Sequence, residues 1–150
     1  MRVAIATDHA GFVLKATVVE QVRALGHEPV DFGTWDEIPV DYPDVIAPAA
    51  RAVAAGECDR AIVLGGSGTG EAIVANKIPG IRCVEASDPL VAHLGRFHND
   101  CNALSMGGRI VGVEIAKACV TEFLTTGFEG GRHVARIAKI SALEDGRTVN

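Results

Sequence analysis

The sequence predicts an α/β fold: a three-layer α/β/α sandwich around a five-stranded parallel sheet, Rossmann-like, with an extra C-terminal helix. Two observations carry that expectation. Five short apolar runs alternate with longer amphipathic stretches, the rhythm of strands each returned by a helix, which implies parallel pairing, right-handed crossovers and helices on both faces. At 150 residues, 48% of them hydrophobic, the chain is one domain (1–150) by size and can bury a three-layer core.

The elements follow in order. Val3–Ala6 reads as a strand, and Val13-Leu14, Val18, Val22 and Leu25 recur at helical spacing until Gly26. Glu28–Phe32 is a second strand, and Gly33 to Pro43 a loop carrying Trp35, two prolines and several acids. Val45-Ile46, Ala49-Ala50 and Val53-Ala54 mark a helix that ends near Gly56, and Ala61–Leu64 is a third strand. A short helix from Ile73 to Asn76 is broken by Pro79-Gly80, followed by the strand Arg82–Ala86 and the helix Pro89–Phe97. Ala103–Met106 is the last strand and Val111–Leu124 a long helix. A glycine-rich hinge, Gly127 to Gly131, leads to a final helix from Arg132 to about Leu143.

Several functional classes are excluded by composition. A net charge of −5 supplies no global basic field for nucleic acid. No run approaches the length of a membrane span, and Met1–Ala6 is too short for a signal-peptide apolar region. Cys58, Cys83, Cys101 and Cys119 are scattered, without a C-x-x-C or a Cys/His cluster. We therefore expect no metal site, no disulfide framework, buried structural thiols and a reducing, cytoplasmic compartment.

In open α/β sheets ligands bind beyond the carboxyl ends of the strands, so chemistry is sought in the residues that follow them. The third strand is followed by Gly65-Gly66-Ser67-Gly68-Thr69-Gly70-Glu71, whose glycines allow backbone N–H groups to converge on an anion at a helix N-terminus. The loop lacks the Gly-Lys-Ser/Thr of a P-loop and does not follow the first strand, as a dinucleotide fingerprint would. Glu71 falls in the first helical turn, where an acid suits the dipole without any function; it also places a carboxylate beside the cradle. Asp8 and His9 follow the first strand; Asp8 reads equally as a helix N-cap. His98 stands near a helix C-terminus, where the dipole favours its protonated form, suiting either a proton donor or a C-cap. His27 and His93 are expected on the surface. Arg132 and Arg136, four apart, share a helix face that is either a solvated basic surface or, with Arg109, a site for an anion.

These parts match the needs of aldose–ketose isomerisation. A base takes the proton beside the carbonyl, an enediolate forms, and the proton returns to the neighbouring carbon. Glu71 is the candidate base, the glycine loop the oxyanion cradle, His98 the acid that opens a sugar ring, and the arginines the phosphate handle. No cofactor motif competes. The helix dipole should lower the Glu71 pKa while burial raises it, and the sequence does not decide between them.

The chain resembles the ribose-5-phosphate isomerase B family, which includes galactose-6-phosphate isomerase subunits. The resemblance rests on Asp8-His9-Ala10-Gly11-Phe12, Asp41-Tyr42-Pro43, Gly65 to Glu71 with Ala75-Asn76-Lys77, Arg96-Phe97-His98-Asn99-Asp100, Gly107-Gly108-Arg109 and Gly130-Gly131-Arg132-His133. It implies a cofactor-free enzyme, a homodimer or homotetramer with sites at the subunit interface, and sugar contacts by Asp8, His9 and the loop Gly66, Ser67, Gly68, Thr69 and Gly70. It further implies Tyr42 and Asn99 in the pocket, His98 as ring-opening acid, and Arg109, Arg132 and Arg136 on the phosphate. One branch of that family uses a cysteine base at the start of the glycine loop. That position is Gly65 here, so the resemblance is to the branch whose base matches Glu71. Ribose 5-phosphate is the leading substrate expectation, with four-carbon and six-carbon sugar phosphates as alternatives, pocket length depending on the Gly33–Pro43 loop and the reach of the arginines. The rival from another class is a non-catalytic module that binds a phosphorylated metabolite, in which Glu71 and His98 would be idle.

Overall fold

The structure, a computed structural model, describes residues 1–149. Its elements are β1 (Arg2–Thr7), α1 (Phe12–Ala24), β2 (Glu28–Asp31), α2 (Tyr42–Ala54), β3 (Arg60–Gly65), α3 (Thr69–Ala75), β4 (Cys83–Glu85), α4 (Pro89–Asn99), β5 (Ala103–Gly107), α5 (Val113–Thr125) and α6 (Arg132–Glu144). All five strands are parallel, in the order β2-β1-β3-β5-β4. The α/β/α expectation holds.

The central strands β1, β3 and β5 are buried on both faces, and alternate side chains divide between two cores. Val3, Ile5, Ile62, Leu64, Leu104 and Met106 face α1, α4 and α5 through Val18, Val22, Ala92, Val120 and Phe123. Ala4, Ala6, Ala61, Val63 and Ala103 face α2 and α3 through Ile46, Ala49, Ala50, Val53 and Ala75. Small residues dominate the second face, so that α2 and α3 can lie close to the sheet. Element ends shift by a residue or two, as hydrogen-bonded boundaries usually do. The exceptions are α2, which begins at Tyr42 rather than Val45, and α3, which begins at Thr69 rather than Ile73, because Gly68, at φ +87°, turns the chain directly into the helix.

Each helix returns the chain from the carboxyl edge of the sheet to its amino edge. The β1–α1, β3–α3 and β5–α5 turns therefore lie at the carboxyl edge, while α4 ends at the amino edge, just before β5. The hinge after α5 is tied to that amino edge by the Glu129 N–H, which donates to the Phe97 carbonyl at 2.9 Å. Helix α6 starts there and buries only His133; Val134, Ile140 and Leu143 remain exposed. No helix among the described residues is long and apolar enough to cross a membrane. All four cysteines are free, Cys58, Cys101 and Cys119 buried and Cys83 half-buried. Burial pushes every thiol upward, Cys101 and Cys119 to about 11, so they are poor nucleophiles.

Candidate active site

The carboxyl edge opens into a cleft of about 420 Å³ lined by Asp8, His9, Ala10, Tyr42, Gly66, Ser67, Gly70, Glu71, Arg109 and Ile110. Its floor is the glycine loop, held from below by β5. The Ser105 hydroxyl donates to the Gly68 carbonyl at 2.6 Å, and the N–H groups of Gly108 and Arg109 donate to the carbonyls of Gly65 and Gly66 at 2.8 and 3.0 Å. A polar Ser105 inside an apolar strand was the available sequence signal for this prop.

Glu71 is 3% exposed, and its Oε2 is buried without a hydrogen-bond partner. Burial pushes its carboxyl above the ordinary value of 4.5, helped by the Asp8 charge, while its own N–H and that of Gly68 pull the other way. Burial thus outweighs the helix terminus, resolving the conflict in the direction a proton-transfer base requires. The carboxylate occupies the space a side chain at position 65 would need: a Cβ on Gly65 would fall within 3.0 Å of Glu71 Cδ and both its oxygens. A base at 71 and a side chain at 65 exclude one another.

Around this centre, His9 accepts the Val40 N–H at Nδ1 (3.3 Å), which leaves Nε2 as the protonated nitrogen of the neutral ring. Asp8 is not a helix N-cap. Its Oδ1 accepts from the N–H groups of Ala10 and Gly11 at 2.8 Å each, bracing the turn before α1, whose N-cap is Gly11. The Tyr42 ring, at the start of α2, lies close against Gly70, where an added Cβ would meet it at 3.0 Å. Arg109 runs over Gly66 with its guanidinium exposed toward the cleft. Thr69 is exposed, its N–H donating to Ser67 Oγ at 3.2 Å, and buried Gly68 supports the loop without lining the cleft.

The loop after β2 touches the cleft through His9, which accepts the Val40 N–H. It is pinned at one end where Thr7 and Thr34 exchange backbone bonds with Gly33 and Thr7, and by Lys15 Nζ, which donates to the Thr34 carbonyl at 2.5 Å and pairs with Asp31 at 2.7 Å. Its other end is held by the Val40–His9 bond, and Trp35 to Pro39 between them are exposed.

Four expected site residues lie elsewhere. His98 and Asn99 end α4, as the helix C-terminal position of His98 predicted, and Arg132 and Arg136 begin α6, so all four lie at the amino edge. The reason is topological: His98 ends a return helix. Asn99 lines a different cavity with Arg82, Cys83 and Leu143. The His98 ring stacks on His133 at 4.6 Å between centroids and 15° between planes, and Arg132 Nε lies 3.4 Å from His133 Nε2. Glu129 Oε2 pairs with His133 Nε2 at 3.0 Å. The fold also gathers a cluster that spacing along the sequence does not show. His98, Glu129 and His133 come together from two segments about thirty residues apart, a juxtaposition invisible to sequence spacing. The surface assignment of His27 and His93 fails in part: His27 Nδ1 is buried without a partner, and His93 Nδ1 meets Glu122 Oε2 at 2.9 Å.

A buried carboxylate, a backbone cradle and an exposed guanidinium in one cleft define a proton-transfer site for an anionic substrate. The family model described as Ribose/Galactose Isomerase matches residues 3–140, and the chain belongs to that family. It is 44% identical over 146 residues to ribose-5-phosphate isomerase B of Escherichia coli (strain K12), covering 97% of this chain and 98% of that one. Among solved structures, it superposes on ribose-5-phosphate isomerase B of Clostridium thermocellum with a TM-score of 0.95 at 42% identity, covering 97% and 99% of the two chains. It also superposes on the Mycoplasma genitalium ribose-5-phosphate isomerase B with bound ribulose-5-phosphate, with a TM-score of 0.90 at 33% identity over 96% of each chain.

Proposed function

We propose that the chain interconverts ribose 5-phosphate and ribulose 5-phosphate through an enediolate, with Glu71 as the base. The observation that carries this reading is the buried, unpartnered Glu71 oxygen with its raised pKa, directly beside the Gly66–Gly70 backbone. In the aldose the C2 proton passes to Glu71 and the C1 oxygen gains negative charge against the cradle N–H groups; the O2 hydroxyl proton then moves to O1, leaving C2=O, as Glu71 returns its proton to C1. Arg109 holds the phosphate from one side. His9, with Nε2–H directed outward from its Val40 bond, supplies a donor to a sugar oxygen.

The apparatus at the amino edge serves the cleft of a second copy. Within one chain, His98 and Arg132 are separated from Glu71 by the length of β5, five residues or about 16 Å. The exposed Val134, Ile140 and Leu143 of α6 give that helix an apolar surface with which to dock. In the resulting homodimer, or a tetramer of such pairs, His98 opens the furanose ring in the partner's site, and Arg132 and Arg136 complete its phosphate pocket. Asn99, also at this edge, reaches the sugar in the same manner. The free, unreactive thiols suit a cytoplasmic setting. Incubating the purified protein with ribose 5-phosphate in deuterium oxide tests the activity: NMR should show ribulose 5-phosphate appearing with solvent deuterium at the exchanged carbon. A protein that bound the phosphosugar without turnover would return the metabolite-binding reading.

A further inference from the structure

The three donors at the amino edge come from two segments fastened to each other. Glu129 and His133 lie one helical turn apart across the start of α6, and the Glu129 N–H bonds the carbonyl of Phe97, next to His98. His133 is buried, so its imidazole is held in place, and Glu129 Oε2 already lies 3.0 Å from its Nε2. One donor atom of His98, Glu129 and His133 each lies within 4.8 Å of the others. In a tetrahedral site with bonds of about 2.0–2.1 Å, donor atoms stand roughly 3.4 Å apart. Glu129 and His133 are already near that spacing, at 3.0 Å, and His98 lies within 4.8 Å of both.

We propose that His98, Glu129 and His133 form a binding site for a zinc-class divalent cation, and that its occupation silences the enzyme. Two imidazoles and one carboxylate with the fourth position open form a donor set that Zn²⁺, Co²⁺ and Ni²⁺ accept and that Mg²⁺ and Ca²⁺, which require oxygen, do not. Binding is not cost-free. The two rings are stacked at 15°, so His98 must turn out of the stack before both lone pairs can meet one ion. Arg132, whose Nε lies 3.4 Å from the same His133 nitrogen, must swing away from the incoming positive charge. Those movements supply the inhibition: the cation withdraws the ring-opening acid and one phosphate ligand together. The inhibitory half rests on the isomerase reading above; the binding half does not.

The test is a titration of chelator-treated protein with Co²⁺, followed by its visible ligand-field bands, and with Zn²⁺ against a chromophoric chelator. One cation per chain is expected, with affinity reduced at least about tenfold in Glu129→Gln and in His133→Asn, and no comparable response to Mg²⁺. Glu129 is exposed, so Glu129→Gln remains informative where His133→Asn misfolds. Binding unchanged in a folded Glu129→Gln variant, or no saturable Co²⁺ spectrum, overturns the site. In the activity arm, Zn²⁺ should inhibit isomerisation of ribose 5-phosphate reversibly, with recovery on adding chelator and resistance in Glu129→Gln. Full turnover by protein shown spectroscopically to be loaded overturns the inhibitory half. Absence of turnover in metal-free protein is a separate outcome, which strikes the isomerase reading and leaves the cobalt spectrum to decide the site.

Discussion

Replacing Gly65 with Ala should disable the enzyme while leaving it folded. The added carbon would fall inside 3.0 Å of the Glu71 carboxylate, and ordinary contact begins at 3.4 Å, so the acid must retreat. The group that yields is the end of a flexible side chain, and Gly65 has ordinary strand geometry, so stability should change by no more than about 1 kcal/mol, a Tm shift of up to about 4 °C. Catalysis has no such tolerance. Moving a reacting group by about an ångström costs on the order of 100-fold, and losing a general base costs about 10²–10⁴. We expect kcat to fall at least about 100-fold with KM changed little, because Arg109 and the cradle are untouched. Progress curves for ribose 5-phosphate and a thermal melt provide both measurements. The double variant Gly65→Ala/Glu71→Gln should be no slower than Glu71→Gln alone, since both lesions act on one group. A Gly65→Ala enzyme of near-normal kcat would refute the reading of Glu71 as base.

Other perturbations follow from the same geometry. Glu71→Gln should lower kcat by about 10²–10⁴ while binding persists, as judged by calorimetric titration with substrate. Because burial raises the folded-state pKa of Glu71, the folded chain binds more protons between the unfolded and folded values, so its buried charge costs stability above the folded pKa. That cost vanishes as pH falls toward the unfolded value. Glu71→Gln should therefore raise Tm at neutral pH, with the gain narrowing in acid. Wild-type kcat should lose activity on an acid limb lying above 4.5, which pH–rate profiles would show. Glu71→Gln and Arg132→Ala, each inactive alone, should regain activity when unfolded and refolded together, since a mixed dimer holds one site with neither lesion; silence from verified mixed dimers would refute the shared site. Serine at Cys58, Cys83, Cys101 or Cys119 should cost stability of about 1–2 kcal/mol at most, and a folded but inactive variant would contradict a carboxylate base.

The fold was legible because the central strands are apolar and the return helices amphipathic, so that pattern and topology agree. The carboxyl-edge half of the site was legible for the same reason, since Asp8, His9, Gly66–Gly70, Glu71 and Arg109 follow strands directly. Helix-end residues carry no such marker. His98 and Arg132 belong to the opposite edge because of the direction in which α4 and α5 run, and that follows only once the path of the chain is traced. Glu129 sits in a hinge, and its importance comes from a pairing with His133 that no strand or helix pattern announces. The direction of the Glu71 shift required knowing how deeply β5 and the loop enclose it, which is a property of packing and not of spacing.

The loop from Gly33 to Asp41 is clamped at Thr34 and at Val40 and exposed between them. Insertions or deletions among residues 35–39 would leave both clamps, the sheet and Glu71 as they are. Loop closure tolerates this well, with a doubling of length costing only about 0.6 kcal/mol. The length of this span is thus separable from the residues that follow the strands. Asp8, His9, Glu71 and Arg109 follow strand ends, whereas the span between the two clamps is a detachable stretch that evolution or an engineer can recut without disturbing them.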